Sequence, residues 1–380
     1  MIAHNLTNIS IPDFNSTLIS NVTYRGRQSG LCLNTETDGT RAAKTIAYVM
    51  VFLVSLFGNS LIVAVIFKNK RMQTPVNFFI LNMAISDLLI TVFFMPRMFS
   101  RIFYGIEWLV TGTTGLILCK ISPSMQEFCS SLSVLLFMTI AVDRYLAVIL
   151  PLKKIITKRV SFVIIGLIWL LALGIRSPTF YGFTLFKRGS KVYCASLLKD
   201  PVADQIYRQF SFVIFYAVPL CIVIVLYSAI IVALKKRKRP GATSLTQQNI
   251  QLKRTHRILK MLVTIVASFS ICWFLYFCLP VLARHMHYQN VLCYLFFPMF
   301  FFCHLNCAFN PMVYLIFIEN YRRGVRSILA RVLPKRCCVN AVGPYDENST
   351  SELKNITRGR SFTAGLDKTF VVKTTGDSPL

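Results

Sequence analysis

The sequence predicts an all-α membrane protein, a bundle of seven transmembrane helices followed by a short amphipathic eighth helix. Of its 380 residues, 54% are hydrophobic and only 15% are charged, whereas soluble domains are about 25% charged. So much apolar surface does not fit inside one water-soluble core, which excludes an ordinary soluble enzyme, a disordered chain and a coiled coil. Seven apolar stretches reach the roughly 20 residues that a helix needs to cross a bilayer. They lie at 42–67, 76–100, 115–149, 159–181, 207–234, 255–283 and 289–316.

These stretches favour helices over barrel strands. In lipid every backbone N–H and C=O must be satisfied within the protein, and the runs lack the alternation of barrel strands. There is no internal repeat at a fixed period, which argues against most transporter folds. The predicted organisation is an extracellular N-terminus at 1–41, the bundle at 42–317, an amphipathic helix at 318–336 and a disordered cytoplasmic tail at 337–380.

The basic residues indicate how the spans are oriented. Lys and Arg number 42 against 15 Asp and Glu, which gives a net charge of +27. The connectors after the first, third and fifth spans are basic and contain no acid, and a basic segment follows the seventh span. By the positive-inside rule these segments are cytoplasmic, so we expect a multi-pass plasma-membrane protein with an extracellular N-terminus. Because the basic runs flank membrane spans, nucleic acid is not an expected partner.

The N-terminal segment supports this orientation, because it carries four N-glycosylation sequons on the predicted extracellular side. Their asparagines are Asn5, Asn8, Asn15 and Asn21. The first residues are polar, so no cleavable signal peptide is expected, and the first span would serve as the insertion signal.

Polar side chains inside the spans are the candidate functional residues. A charge at mid-membrane costs about 3 kcal/mol on insertion scales, so each one needs a structural or functional reason. The residues of this kind are Asn59, Asp87, Glu127, Asp143, Arg144, His304, Asn306 and Asn310.

Several of these residues belong to short motifs that follow one another along the seven spans. The motifs are Gly58-Asn59, Leu81-Asn82-Met83-Ala84-Ile85-Ser86-Asp87, Cys119, Asp143-Arg144-Tyr145, Trp169, Pro219 with Tyr227, Phe269 with Cys272-Trp273, and Asn310-Pro311-Met312-Val313-Tyr314. Each motif alone is weak evidence. All of them in this order make the chain resemble a rhodopsin-like (class A) G protein-coupled receptor from residue 42 to about residue 333.

The resemblance implies a switch at the cytoplasmic end. Arg144 would be held by Asp143 and, once released, would donate to carbonyl groups of a heterotrimeric G protein. Arrestin is a further implied partner. The family usually has a proline two residues after Trp273, where this chain has Leu275. The sequence therefore does not establish whether the sixth helix has the family's hinge. The remaining switch residues are Tyr145, Tyr227, Asn310, Pro311 and Tyr314.

A sodium pocket is also implied by the resemblance. Its residues would be Asp87, Ser133, Asn306 and Asn310. A hard cation prefers oxygen ligands, and an ionised Asp87 would be costly without a partner. The alternative is a protonated Asp87 that is hydrogen-bonded to Asn59 and Asn310. No other metal and no cofactor are expected.

The twelve cysteines divide by location. The resemblance implies a disulfide between Cys119 and Cys194 on the extracellular side, where the compartment is oxidising. Cys32 and Cys293 are the remaining extracellular candidates, and the sequence does not decide whether they form a second bridge. The paired cysteines Cys337 and Cys338 follow the amphipathic basic stretch 321–335. That stretch would lie against membrane lipids, and the two cysteines would be palmitoylated or remain free thiols.

Two positions bear on the class of ligand. Gln126 stands where aminergic receptors have an aspartate, and His304 stands where opsins have the retinal-binding lysine, so neither an amine nor retinal is expected. The run from Cys119 to Gln126 resembles neuropeptide receptors of the neuropeptide Y, orexin and RFamide group. The expected ligand-binding residues are Gln126, Glu127, Trp273, Arg284 and His304.

The sequence allows two interpretations of the ligand's charge, an anionic ligand or a ligand that carries an arginine. The predicted outer surface is more basic than acidic, and Arg284 stands where several receptors of that group have an acid, which favours an anionic ligand. The alternative is an RFamide-type ligand whose arginine is received by Glu127 or Asp204.

The sequence therefore predicts a receptor that couples an extracellular ligand, a neuropeptide, to heterotrimeric G proteins. A small acidic metabolite or a lipid is the alternative ligand, and a transporter or channel is the alternative of a different class. No catalytic set of residues stands out, so the chain is not expected to be an enzyme.

Overall fold

A computed structural model of the protein describes residues 37–150, 153, 155–196, 201–236, 245–282 and 289–332. Seven helices in these ranges are long and apolar enough to cross a membrane, which confirms the predicted fold class. In chain order, these first to seventh spans are Asp38–Lys68, Pro75–Tyr104, Gly112–Ile149, Lys158–Gly182, Gln205–Leu234, Arg257–Leu279 and Leu295–Phe317. All seven belong to one compact unit, Met1–Ser327, while Ile328–Leu380 forms a second.

Three spans belong to longer helical segments. The fifth span lies within three consecutive segments, the α-helix Pro201–Phe212, the π-helix Val213–Ala217 and the α-helix Val218–Lys236. The sixth span belongs to Leu245–Leu282, which begins ten residues before the predicted start, and the seventh to Gln289–Phe317. A final helix, Glu319–Val332, follows the seventh span within the predicted range 318–336. We call it the terminal helix.

Threonine side chains cap the beginnings of three spans. Thr37, Thr74 and Thr157 have extended backbone conformations, and each hydroxyl accepts a hydrogen bond from a backbone N–H three residues later, at 3.2, 3.4 and 3.4 Å. These bonds satisfy N–H groups that have no partner within the helix. Pro75 follows its cap directly, where a missing N–H removes no helical hydrogen bond.

The second span is broken, which the predicted single run 76–100 does not anticipate. One helix, Pro75–Phe93, is followed by a second, Met95–Tyr104. The cause is Pro96, which has no N–H to donate to the carbonyl four residues earlier and whose ring crowds it. Arg97 N bonds instead to Phe94 O at 2.9 Å, a tighter turn. The break sets the direction of the second helix, which carries two arginines.

A β-hairpin covers one end of the bundle. Strands β1, Phe183–Arg188, and β2, Lys191–Ser196, pair antiparallel, and the turn between them contains Gly189 at φ +62°, a conformation that favours glycine. A disulfide joins Cys194 of β2 to Cys119 of the third span, as predicted. The end of the bundle that carries Cys119 and this hairpin is called the hairpin end, and the opposite end is called the Arg144 end.

The connector between the second and third spans also holds the hairpin. Trp108 N donates to Val192 O at 2.8 Å, and Trp108, Cys119, Leu185 and Val192 form one buried hydrophobic cluster. Lys191 Nζ lies 2.7 Å from a carboxylate oxygen of Glu107, and this hydrogen bond raises the pKa of that lysine. The hairpin is therefore fixed by a covalent bond, a buried cluster and an exposed ion pair.

Two glycines allow close contacts with the first span. A Cβ atom added at Gly58 would lie 2.7 Å from Pro311 Cγ in the seventh span. A Cβ atom added at Gly324 of the terminal helix would lie 2.5 Å from a methyl group of Val65. Both distances are shorter than carbon atoms tolerate, so glycine is what lets these helices approach.

We expect Gly58→Ala to lower the melting temperature of the purified protein in detergent. The added methyl group needs space that only a shift of the first or seventh span creates, and overpacking of this kind costs about 1–3 kcal/mol. Gly166→Ala in the fourth span is the matched control, because a Cβ there meets no atom within 4 Å. Equal melting temperatures for the two variants would contradict the contact.

Candidate functional site

A chain of buried polar side chains crosses the half of the bundle nearer the hairpin end. It is formed by Gln126 of the third span, His304 of the seventh and Tyr48 of the first. His304 Nε2 lies 3.2 Å from Gln126 Oε1, and the Tyr48 hydroxyl lies 2.6 Å from His304 Nδ1. Because an amide oxygen only accepts, His304 Nε2 carries the proton and Nδ1 accepts from Tyr48. Two predicted ligand-binding residues are thus joined to Tyr48, which no sequence motif marks.

Gln126 leaves one donor unused. Its side chain is 1% exposed, and its Nε2 has no partner in the described part of the chain. A buried donor without a partner costs about 1–3 kcal/mol. The site is therefore complementary to an acceptor supplied from outside the protein, such as a carbonyl oxygen.

An aromatic wall joins this chain to the sixth span. The Trp273 ring lies 5.3 Å from that of Tyr276, and the Tyr276 ring lies 6.0 Å from that of Phe300. Phe300 in turn stacks on His304 at 6.1 Å. Toward the Arg144 end, Trp273 contacts Phe269 at 5.7 Å. Trp273 is therefore in indirect contact with His304 on one side and with the lower half of the sixth span on the other.

Glu127, the fourth predicted ligand-binding residue that the structure describes, is held by an internal cation. Arg176 of the fourth span places a guanidinium nitrogen 2.5 Å from one carboxylate oxygen. The Tyr276 hydroxyl donates to the other oxygen at 3.1 Å. Both oxygens of Glu127 are therefore engaged within the protein, which leaves no free carboxylate there for a ligand arginine.

Arg176 organises the surrounding spans. Its Nε donates to Ser131 Oγ at 2.7 Å in the third span, and its terminal nitrogen donates to Ser211 Oγ at 3.0 Å and to the Tyr207 hydroxyl at 3.3 Å. The guanidinium carbon lies 4.3 Å from the ring centre of Phe215. Together with the contact of Tyr276, these contacts join four spans, the third, fourth, fifth and sixth. The signal that marks Arg176 in the sequence is a lone cation in an apolar run; its pairing with a residue 49 positions away has no local signal.

Two arginines lie at the hairpin end of the second span. The guanidinium of Arg97 donates to Ser100 Oγ at 2.6 Å and to Ile106 O at 2.9 Å, and covers the ring of Trp108 at 4.7 Å. Arg101 covers the rings of Phe296 and Phe300, at 4.5 and 5.5 Å. Arg97 thus supports the chain around it, whereas the contacts of Arg101 are aromatic.

A second polar cluster surrounds Asp87 nearer the middle of the bundle. Asn310 Nδ2 donates to Asp87 Oδ2 at 2.9 Å. Ser133 Oγ lies 3.3 Å from Ser86 Oγ. Of the two hydrogen bonds that the alternative of a protonated Asp87 requires, the one with Asn310 is present and the one with Asn59 is not; sodium and a protonated Asp87 both stay predictions. Asn59 Nδ2 donates to the carbonyl oxygens of two other residues, at 2.9 Å each; these are Ser55 and Cys307.

The oxygens of this region fit a sodium ion. The side-chain oxygens of Asn59, Asn306 and Asn310 are buried without a partner in the described residues, and the Asp87 carboxylate carries the charge that a cation would balance. Hard cations take oxygen ligands of this kind. Asp87, Ser133, Asn306 and Asn310 are thus the side chains that would hold the ion, and the sodium site stays a prediction.

At the Arg144 end, Arg144 is paired with Asp143. Arg144 Nε donates to Asp143 Oδ2 at 2.9 Å, and a terminal nitrogen contacts the same oxygen. The pair faces a cavity of about 500 Å3 whose walls come from the second, third, sixth and seventh spans. Charged residues lining it include Lys153, Arg257 and Glu319.

The other predicted switch residues lie around this end. Tyr314 is buried, its hydroxyl donates to Met83 Sδ at 3.9 Å, and its ring stacks on Tyr321 at 6.0 Å. Tyr227 is buried in the fifth span, and Tyr145 is half-buried. Their roles as switch residues stay predictions.

The sixth span has no break at the position after Trp273 where the sequence lacks the usual proline. The helix runs without interruption from Leu245 to Leu282 and passes through Trp273 and Leu275. An irregularity lies in the fifth span instead, where Val218 N bonds to Val213 O, five residues earlier. At this π-helix the Tyr216 hydroxyl donates to the carbonyl oxygen of the sixth-span residue Ser270 at 2.9 Å.

Several predicted site residues lie outside the described residues. They are Arg284, Cys32, the side chains of Asp204 and Cys293, the four glycosylation asparagines, and Cys337 and Cys338.

The seven spans agree with a family comparison. The model of the "7 transmembrane receptor (rhodopsin family)" matches residues 58–314. The chain belongs to this family. The match favours the receptor prediction over a transporter or channel, and it places the chain among receptors rather than enzymes.

Similar curated proteins are peptide receptors by name. The receptor is 26% identical over 307 residues to the RYamide receptor of Drosophila melanogaster, covering 78% of this chain and 65% of the relative. It is 28% identical over 317 residues to the QRFP-like peptide receptor of Branchiostoma floridae, covering 80% of each. It is 31% identical over 304 residues to neuropeptide FF receptor 2 of Rattus norvegicus, covering 74% and 71%.

We expect Arg176→Gln to destabilise the receptor by about 3–5 kcal/mol, because Glu127 would stay buried without its cation. The double variant Glu127→Gln/Arg176→Gln should lose less, since it removes both charges. Thermal unfolding of the purified receptor compares the wild type, Arg176→Gln, Glu127→Gln and the double variant. A double variant that is less stable than Arg176→Gln by the full effect of Glu127→Gln would mean that the two side chains do not interact.

Sodium binding is tested through Asp87. If the ion favours the inactive state, raising sodium at constant ionic strength should weaken agonist affinity, and Asp87→Asn should abolish that dependence. Exchanging sodium for choline provides the control for ionic strength. The same sodium dependence in wild type and variant would show that Asp87 does not bind the ion.

Proposed function

We propose that this receptor lies in the plasma membrane with its N-terminus and hairpin end outside. On this view it binds a peptide around Gln126 and His304 and activates a heterotrimeric G protein at the Arg144 end. The observation that carries the proposal is the buried, unused donor of Gln126 within the polar chain of the hairpin half. The names of the relatives, which specify peptides, support the class of ligand.

The orientation rests on charge and on redox chemistry. The connectors at the Arg144 end are basic and free of acids, which is the pattern of cytoplasmic loops. The Cys119–Cys194 disulfide lies at the other end, and disulfides persist in oxidising compartments such as the cell exterior. Both observations support an extracellular hairpin end, where the predicted glycosylated segment 1–41 would also lie.

A peptide suits the binding region because its backbone supplies hydrogen-bond acceptors at regular intervals. Gln126 Nε2 offers a donor to such a carbonyl oxygen, and the rings of Trp273, Tyr276 and Phe300 offer apolar surface for a side chain. Aromatic walls with a few placed polar groups are typical of ligand sites. The hairpin, held by the disulfide and by the cluster around Trp108, would form the outer rim.

The Arg144 end offers the chemistry that a G protein contact needs. The Arg144 guanidinium is held by a single neighbouring carboxylate, that of Asp143, at the wall of a cavity of about 500 Å3. Once released, it presents several N–H donors to backbone carbonyl groups of a helix end. Arrestin would use the same cavity. The terminal helix, with exposed Arg323 and Arg326, would contact acidic lipid headgroups.

The proposal is tested by nucleotide exchange on a G protein with the reconstituted receptor and a library of synthetic peptides. We expect peptide-dependent exchange for the wild type and for Arg326→Ala, a control that removes an exposed arginine at the same end. Arg144→Ala should lose at least tenfold in exchange, about 1.4 kcal/mol, while it keeps peptide affinity. Exchange by Arg144→Ala at the wild-type level would contradict the role of Arg144, and exchange without any response to peptides would contradict a peptide ligand.

A further inference from the structure

Arg101 is a cation with buried donors that the protein does not use. Its Nε and one terminal nitrogen are buried without a hydrogen-bond partner among the described residues. Hydrogen bonds to charged groups contribute about 1.5–3 kcal/mol each, so leaving such donors unpaired is costly. The neighbouring cation, Arg97, also has a buried Nε without a partner, but both of its terminal nitrogens donate, one to a serine hydroxyl and one to a backbone carbonyl.

No acidic side chain that the structure describes is left over to balance Arg101. Each of the six has another partner. The pairs are Asp38 with Arg41, Asp87 with Asn310, Glu107 with Lys191, Glu127 with Arg176, Asp143 with Arg144, and Glu319 with Arg323.

The position of Arg101 connects it to the proposed peptide site. Its guanidinium carbon lies 4.5 Å from the ring centre of Phe296 and 5.5 Å from that of Phe300. Phe300 stacks on His304, which bonds to Gln126. One aromatic ring therefore separates Arg101 from the polar chain that ends in the unused donor of Gln126.

The geometry of the guanidinium suits a carboxylate. Rings that cover the face of an arginine leave its N–H groups in the plane of the guanidinium, where they form parallel hydrogen bonds to two carboxylate oxygens. Arg101 and Gln126 both offer donors without partners. A neutral amide group of a ligand would accept from Gln126 but would not balance the charge of Arg101. The complementary ligand is rich in acceptors and carries a negative charge.

We propose that Arg101 is the anion-binding subsite of the peptide pocket, and that the peptide ligand carries a carboxylate that binds there. The inference rests on the proposed function and names the ligand class. It also selects the anionic ligand over the alternative in which Glu127 receives a ligand arginine, since that carboxylate is paired with Arg176. The carboxylate comes from the peptide C-terminus or from an acidic side chain.

The test uses small probes, so that it does not depend on knowing the native peptide. N-acetyl-phenylalanine and its amide represent the C-terminal source. N-acetyl-aspartyl-phenylalanine amide and its asparaginyl counterpart represent the side-chain source. Each probe at millimolar concentration is added to the purified receptor without G protein, and the melting temperature is measured. A ligand that binds the folded state raises it, because it stabilises that state by RT ln(1 + [L]/Kd).

We expect at least one acid probe to raise the melting temperature of the wild type and to bind at least tenfold more tightly than its neutral partner. The responding pair identifies the source of the carboxylate. Arg101→Gln should bind both members of that pair equally. Lys187→Gln, which removes an exposed charge of the hairpin, is the matched control and should keep the preference for the acid.

The melting temperatures without probe separate binding from structural support. Because Arg101 has unpaired buried donors, Arg101→Gln should melt no lower than the wild type. If Arg101 instead supported the structure, its replacement would lower the melting temperature. Arg101→Lys, which keeps the charge but not the planar pair of donors, should retain part of the preference.

The proposal is overturned if neither acid binds better than its neutral partner, or if Arg101→Gln keeps the preference. It is also overturned if Arg101→Gln melts well below the wild type and Arg101→Lys restores the melting temperature without restoring a preference for acids. Because these measurements omit the G protein, a positive result together with the absence of peptide-stimulated exchange would count against the proposed function and not against the anion subsite.

Discussion

The ion pair between Arg176 and Glu127 is the interaction on which the hairpin half of the bundle depends. Removing a charge from water into an apolar interior costs several kcal/mol unless a partner and further hydrogen bonds compensate. Arg176 meets that requirement with one carboxylate, two serine hydroxyls and a tyrosine hydroxyl. Because these partners come from different spans, the pair fixes how those spans pack, and it removes Glu127 from the groups available to a ligand.

Since each acidic side chain that the structure describes has a partner, the polar groups without partners carry information. In the hairpin half they include the donors Gln126 Nε2, Arg101 Nε and Trp273 Nε1, together with the hydroxyls of Ser122 and Ser124. Deeper in the bundle they are oxygens, those of Asn59, Asn306 and Asn310. A ligand that satisfies the first group offers acceptors, and an ion that satisfies the second is a cation. The unpaired groups are thus mainly donors near the hairpin end and acceptors deeper in the bundle. This supports an acceptor-rich ligand in the first region and sodium in the second.

The spans could be predicted from the sequence because they depend on local composition, and the Cys119–Cys194 bridge could be predicted from the resemblance to the receptor family. Hydropathy marks each span to within a few residues, apart from the early start of the helix that contains the sixth span. It does not reveal the break before Met95, which needs the backbone geometry imposed by Pro96, or the π-helix at Val213–Ala217. The partners of Glu127 and His304 were also beyond reach, because Arg176 and Tyr48 meet them only through packing of distant spans.

The central claim is that the unpaired donors of the hairpin half receive the ligand while Glu127 stays paired with Arg176. The most direct measurement is a structure of the receptor bound to an activating peptide and a G protein. The account predicts a peptide carboxylate at the Arg101 guanidinium, a peptide carbonyl at Gln126 Nε2 and an intact Glu127–Arg176 pair. A peptide whose cationic group binds Glu127, with Arg176 displaced and no anion at Arg101, would contradict it.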